Sequence, residues 1–78
     1  MRKSSAMQTF VENLIRIRKD RGLSQHDLAE LLGTKQPSIS RVERGEEDIS
    51  LSRADEFARA LGFTLSEMVA PQKFSKIA

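Results

Sequence analysis

Between Leu32 and Gln36 the chain has only Gly33, Thr34 and Lys35 in which to end one helical segment and begin another. Upstream, "LSQHDLAELLG" places Leu28, Leu31 and Leu32 on an apolar face at helical spacing. Ser24 offers an N-cap hydroxyl, and Asp27 three residues later completes a capping-box pattern that suits the positive end of the helix dipole. Downstream, "QPSISRVERG" carries Ile39 and Val42, and Pro37 falls in a first turn, where its missing N–H costs nothing. Two helices joined this closely must press against each other. The glycine at the corner is expected in a left-handed conformation that a Cβ would strain.

The same punctuation organises the rest of the chain. Phe10, Leu14 and Ile17, with Met7 and Val11 beside them, predict a helix from about Ala6 to Arg21, capped by Ser4 or Ser5 and closed by Gly22. Ile15 lies off this stripe and is expected to be partly exposed or to meet another element. After the acidic connector "EEDIS", a helix is expected from Leu51 or Ser52 to Leu61. Ser50 or Ser52 would cap it, and Ala54, Phe57, Ala58 and Leu61 form its inner face. "TLSEM" repeats the capping-box pattern with Thr64 and Glu67, giving a short last helix to about Val69. The fold class is therefore all-α, a compact five-helix bundle. Seventy-eight residues, 38% hydrophobic with four Phe and no Trp or Tyr, allow one small aliphatic core. Residues 1–5 are expected as a flexible basic N-terminal arm, 6–70 as the domain and 71–78 as a short C-terminal tail.

Charge is placed unevenly. Residues 1–21 hold six Lys and Arg against two acids, whereas 46–62 hold two against five. A basic excess on one part of a small domain suits a polyanionic partner, although a solvated mixed-charge surface accounts for charge alone. With no Cys and one His, the chain lacks the side chains for disulfides, thiolate or histidine metal clusters and cysteine nucleophiles. No apolar run approaches the roughly 20 residues of a membrane span, and no hydrophobic signal core follows "MRKSSAMQTF". A cytoplasmic protein with no cofactor and no metal is expected. "SQHDL" contains Ser24, His26 and Asp27, but neighbours on a helix diverge by about 100° each and cannot converge as a triad. No catalysis is expected. Glu46, Glu47 and Asp48 read as a solvated loop.

Taken in register, the two closely joined helices meet the demands of a helix-turn-helix. Leu28, Leu32, Ile39 and Val42 stand where the helices press together, Ala29 is small at their closest approach, and Gly33 supplies the turn. "RIRKDRGLSQHDLAELLGTKQPSISRVERG" followed by "ISLSRADEFARALGFTLSEMV" resembles the lambdoid phage repressor and Cro (XRE-like) family over about residues 7–70. The resemblance implies a lambda-repressor-like bundle that binds operator DNA as a two-fold dimer. It also implies that Gln36 reads adenine while buttressed by Gln25, and that Glu43 pairs with Arg18 to hold the recognition helix on the bundle.

The third helix divides into two faces. Ile39, Val42 and Glu43 cluster on one side; Pro37, Arg41 and Arg44 lie opposite, flanked by Ser38 and Ser40. The outer face has no acid of its own and carries small residues that permit close approach. Gln36, Pro37, Ser38, Ser40 and Arg41 are the candidate base-reading residues, with Arg41 suited to guanine O6 and N7 and the Pro37 ring to a thymine methyl. Arg18, Gln25, Lys35 and Arg44 are the candidate phosphate contacts. Phe63, Leu65, Met68 and Val69 exceed what so small a core requires and form the candidate dimer interface, or else close the base of the bundle. The expected function is a sequence-specific double-stranded DNA-binding transcriptional regulator: a phage-type repressor, a restriction–modification controller or a stand-alone bacterial regulator, with no small-molecule effector domain. The alternative is a DNA-binding antitoxin that also holds a toxin through its C-terminal region, where Phe74 and Ile77 lie. A pure protein-interaction module is the weakest reading.

Overall fold

The computed structural model describes residues 5–71. Helix α1 spans Ser5–Asp20 and α2 spans Gln25–Leu32; α3 follows at Gln36–Glu43, α4 at Leu51–Ala60 and α5 at Leu65–Met68. The expected N-terminal arm and the tail with Phe74 and Ile77 lie outside the described residues, Ser5 excepted, and so does the choice between Ser4 and Ser5 as a cap.

Short helices this close to their own ends depend on capping. Ser24 accepts from the Asp27 N–H at 2.9 Å, and the Asp27 carboxylate accepts from the Ser24 N–H at 3.1 Å. Thr64 and Glu67 make the same reciprocal pair. Ser50, not Ser52, caps α4, accepting from the Arg53 N–H at 3.1 Å. Each cap satisfies donors that a helix start otherwise leaves unpaired. Gly33 has φ 71°, and the backbone N–H of Thr34 donates to the Ala29 carbonyl at 2.9 Å, so the chain leaves α2 and enters α3 within one turn. Lys35 stands at the N-cap of α3 with no side-chain bond, and Pro37 occupies the first turn.

The buried stripes meet in one core. Phe10, Leu14 and Ile17 come from α1, Leu28 and Ala29 from α2, and Ile39 and Val42 from α3. Ala54, Phe57 and Ala58 come from α4, with Leu61 just past it, and Met68 from α5; Met7, Val11, Leu32, Ile49, Phe63, Leu65 and Val69 pack around them. Helix α2 lies against α3 and α4, while α1 bridges α3 and α5.

Two readings of the sequence are corrected here. Leu31 is 50% exposed, because the face of α2 toward α3 and α4 is filled by Leu28, Ala29 and Leu32. Met68 is 0% exposed within a single protomer, so it closes the base of the bundle and offers nothing to a second copy. Ile15 is half-buried, as its off-stripe position requires.

Asn13 is the buried polar side chain that spacing did not single out. Its Nδ2 donates to the Met68 carbonyl at 2.8 Å and to the Ala70 carbonyl at 3.0 Å. A one-turn helix such as α5 cannot satisfy its own last carbonyls, and Asn13 supplies the donors from α1. Arg21 does similar work at the end of α4, donating to the Leu61 carbonyl at 2.7 Å while its guanidinium stacks 5.9 Å from the Phe63 ring centre.

Candidate nucleic-acid interface

Helix α3 has eight residues, and only Ile39 and Val42 bury completely. Two apolar anchors leave rotation about the helix axis poorly fixed. A chain of polar contacts supplies the rest. Arg18 of α1 reaches Glu43 with two parallel hydrogen bonds, Nε to Oε2 at 2.7 Å and Nη2 to Oε1 at 3.0 Å. Glu43 Oε1 also accepts from Gln25 Nε2 at 2.9 Å, and Gln25 Oε1 accepts from Gln36 Nε2 at 2.8 Å. The rail therefore runs from α1 through both ends of α3 and fixes the start of α2 on the way.

Burial makes this rail costly to break on one side only. The side chains of Arg18 and Glu43 are 13% and 6% exposed, so solvent screens their pairing poorly. Arg18 Nη1 also donates to the Leu23 carbonyl at 3.0 Å. All three of its nitrogens thus hold protein, and Arg18 braces α3 from α1. Gln36 is half-buried with its amide turned to Gln25, which matches the buttress implied by the resemblance.

Opposite the rail, Lys35, Pro37, Arg41 and Arg44 are exposed, and Ser38 and Ser40 are half-buried between them. Lys35, Pro37, Ser38, Ser40, Arg41 and Arg44 therefore lie away from the rail, while Ile39, Val42 and Glu43 face the bundle and Gln36 stands at the edge, joined to the rail through Gln25.

The sequence matches the helix-turn-helix family over residues 14–68. That span begins inside α1 and ends with α5, so it takes in the rail as well as the paired helices. The chain belongs to the XRE-type helix-turn-helix family. It is 36% identical over 66 residues to an uncharacterized HTH-type transcriptional regulator of Haemophilus influenzae, covering 85% of this chain and 67% of that one. An HTH-type transcriptional regulator of Sinorhizobium fredii is 34% identical over 59 residues, 76% of this chain and 77% of the relative. The antitoxin HigA1 of Mycobacterium tuberculosis is 41% identical over 52 residues, 67% of this chain but 35% of the antitoxin.

In this helix-turn-helix domain the outer face of α3 differs from its sequence reading in one respect. The helix itself carries no acid there, but the connector brings two. Gly45, at φ 76°, reverses the chain, and the Glu46 N–H donates back to the Arg41 carbonyl at 2.9 Å. Glu46 then accepts from Arg44 Nη2 at 3.0 Å, and Arg44 Nη1 donates to the Ser40 hydroxyl. Glu47 accepts from Arg41 Nε at 2.8 Å through Oε1 and from the Ser38 hydroxyl at 3.2 Å through Oε2. The connector read as a solvated loop is thus folded onto the candidate base-reading residues. No periodicity announces this, because Glu47 lies beyond the helix whose side chains it touches.

The carboxyls respond accordingly. Glu47 is held below its ordinary value of 4.5, chiefly by the hydrogen bond from Arg41 and further by that from Ser38. Glu46 is lowered by the hydrogen bond and charge of Arg44, whose own value is raised in return. Asp27 is lowered by the Ser24 backbone and then by the Ser24 hydroxyl, which leaves a carboxylate at the start of α2. The Ser24, His26 and Asp27 set is accounted for by capping and by the exposed contact of His26 with Glu30 at 3.3 Å. Among the described residues no group of three or more His, Asp or Glu side chains could hold a metal ion, and no helix is long and apolar enough to cross a membrane.

Proposed function

We propose that this DNA-binding regulator reads a pseudo-palindromic operator as a homodimer, with α3 of each copy in a major groove. The observation that carries the reading is the rail from Arg18 through Glu43 and Gln25 to Gln36, which fixes α3 by its inner side while Pro37, Arg41 and Arg44 remain exposed on the outer one. A helix held rigidly by one face and lined outside with Pro37, small hydroxyls and Arg41 suits groove entry. Arg41 then takes a guanine, Gln36 an adenine edge and Pro37 a thymine methyl, with Ser38 and Ser40 beside them. Lys35 and Arg44 contact phosphates, and Gln25 brings the start of α2 to the backbone. Phe63, Leu65 and Val69, each half-buried in one protomer, form the surface for a second copy. Two recognition helices about 34 Å apart would then meet successive grooves.

Selection of binding sites from random duplex DNA at two salt concentrations tests this directly. A palindromic consensus and a steep salt dependence are expected. Arg41→Ala should relax preference at one base position, by about fivefold or more, whereas Lys35→Ala should weaken every site alike. Identical profiles for the two variants would overturn the division between reading and anchoring. Sedimentation that stays monomeric at high micromolar concentration would overturn the dimer. The kinship with the antitoxin HigA1 supports a second reading, in which the chain also binds a toxin protein. Stoichiometric co-purification with a toxin would establish it.

A further inference from the structure

Arg41 and Ser38 are the two outer-face side chains whose hydrogen bonding is fixed by one group, the Glu47 carboxylate. Oε1 takes the Nε–H of Arg41 and Oε2 takes the hydroxyl proton of Ser38. A guanidinium presents three edges, and a carboxylate on Nε engages only the side edges. Among the described residues Nη1 and Nη2 of Arg41 make no hydrogen bond, so the outer edge, with its paired parallel donors, is left open; the side chain is 49% exposed. Ser38, with its proton committed to Glu47, keeps only lone pairs for any further partner.

We infer that Glu47 is a positioning residue for base reading: it presents Arg41 as a fixed two-donor fork for guanine and sets Ser38 as an acceptor for the exocyclic amine of cytosine or adenine. This rests on the proposal that α3 reads the major groove. The physical reason is twofold. A free arginine loses rotamer freedom when it docks, and one already clamped at Nε loses less. A serine hydroxyl ordinarily rotates to donate or accept as required, which makes it a poor discriminator. An acid whose two oxygens are both satisfied by the reading residues removes that ambiguity. Glu47 meanwhile puts a negative charge beside DNA phosphates, a cost in general affinity that specificity offsets. The neighbouring Arg53 charge bears on the same carboxylate and limits this cost.

The isosteric amide separates these roles. In Glu47→Gln the oxygen must face Arg41, because Arg41 has only donors, so the amide nitrogen faces Ser38. Ser38 then accepts from the amide, and its proton is released toward the groove. Site selection with the unaltered chain, Glu47→Ala and Glu47→Gln, each checked for a retained cooperative melting transition, gives distinct outcomes. Glu47→Ala is expected to lose about fivefold or more of the guanine preference at the Arg41 position while binding all DNA more tightly. Glu47→Gln is expected to hold that guanine preference within about twofold and to turn the Ser38 position from amine-bearing bases toward guanine or thymine acceptors. If both variants raise affinity uniformly and leave the base profile unchanged, Glu47 acts only through its charge and the assignment falls. If the unaltered chain shows no base preference, the groove-reading proposal itself fails, and that result is distinguishable from the former. Because Glu47 lies at the surface and glutamine matches its shape, the amide variant keeps the test open should the alanine variant unfold.

Discussion

Glu43 is the residue on which the most depends. It accepts from Arg18 twice and from Gln25 once. Glu43→Ala strands a guanidinium that is largely out of solvent and frees Gln25, so a loss of about 3 kcal/mol is expected. In a domain this size that lowers the melting temperature by more than 10 °C, roughly, and DNA affinity should fall with it. Unchanged melting would show that the rail is not structural. Asn13 makes the second single-residue case. Asn13→Leu leaves the Met68 and Ala70 carbonyls without their donor, at about 1–3 kcal/mol. Asn13→Asp should be worse at neutral pH, since a carboxylate can only confront those carbonyls with more negative charge. Denaturant titration of the pair orders them. Glu43 was legible through its family resemblance, on the inner face where a carboxylate needs a partner. Asn13 was not, although a polar residue three positions after Phe10 on the apolar stripe is itself the signal.

At the scale of elements, the helix ends were written locally and the helix contents were not. Capping boxes at Ser24–Asp27 and Thr64–Glu67 need only residues three apart, and both formed. Gly33 has φ 71° and nothing within 4 Å of where a Cβ would stand. Gly33→Ala should therefore cost only the backbone strain, about 1 kcal/mol, without a steric clash. A fall of roughly 4–8 °C in melting temperature is expected; no change would mean that the α2–α3 corner tolerates another path. Leu31 shows where local pattern misleads. Helical spacing put it on the apolar face, but which arc of α2 is covered depends on where α3 and α4 lie. That was decided outside the helix.

At the scale of the molecule, electrostatics ties the reading surface to pH. Asp27, Glu46 and Glu47 all have folded values below their ordinary 3.8 to 4.5. The unfolded chain therefore takes up protons first as pH falls. Their contribution is complete above the ordinary values and is lost as pH drops through the lower folded ones. Melting temperature should hold nearly level from neutral pH to about pH 5 and decline below about pH 4. The decline should be modest, because all three groups face solvent. Glu47→Gln should flatten part of it. A decline already present at pH 6 would point to some other titrating group.

The sequence by itself determined the five helices, the capping boxes at Ser24–Asp27 and Thr64–Glu67, the core from Phe10 to Leu61 and the two faces of α3. All of these follow from spacings within one helical turn or from the limits of one residue's backbone. Only the tertiary structure decided that Met68 belongs to the core, that Arg18 also holds the Leu23 carbonyl, and that Asn13 finishes α5 from 55 residues away. It also decided that Glu47 returns across Gly45 to hold Arg41 and Ser38. Each of these is a contact between elements, and periodicity along a helix carries no information about what another element brings to its surface. The three residues between Leu32 and Gln36 set the corner. What stands around the corner, and what the connector lays against α3, came from the packing.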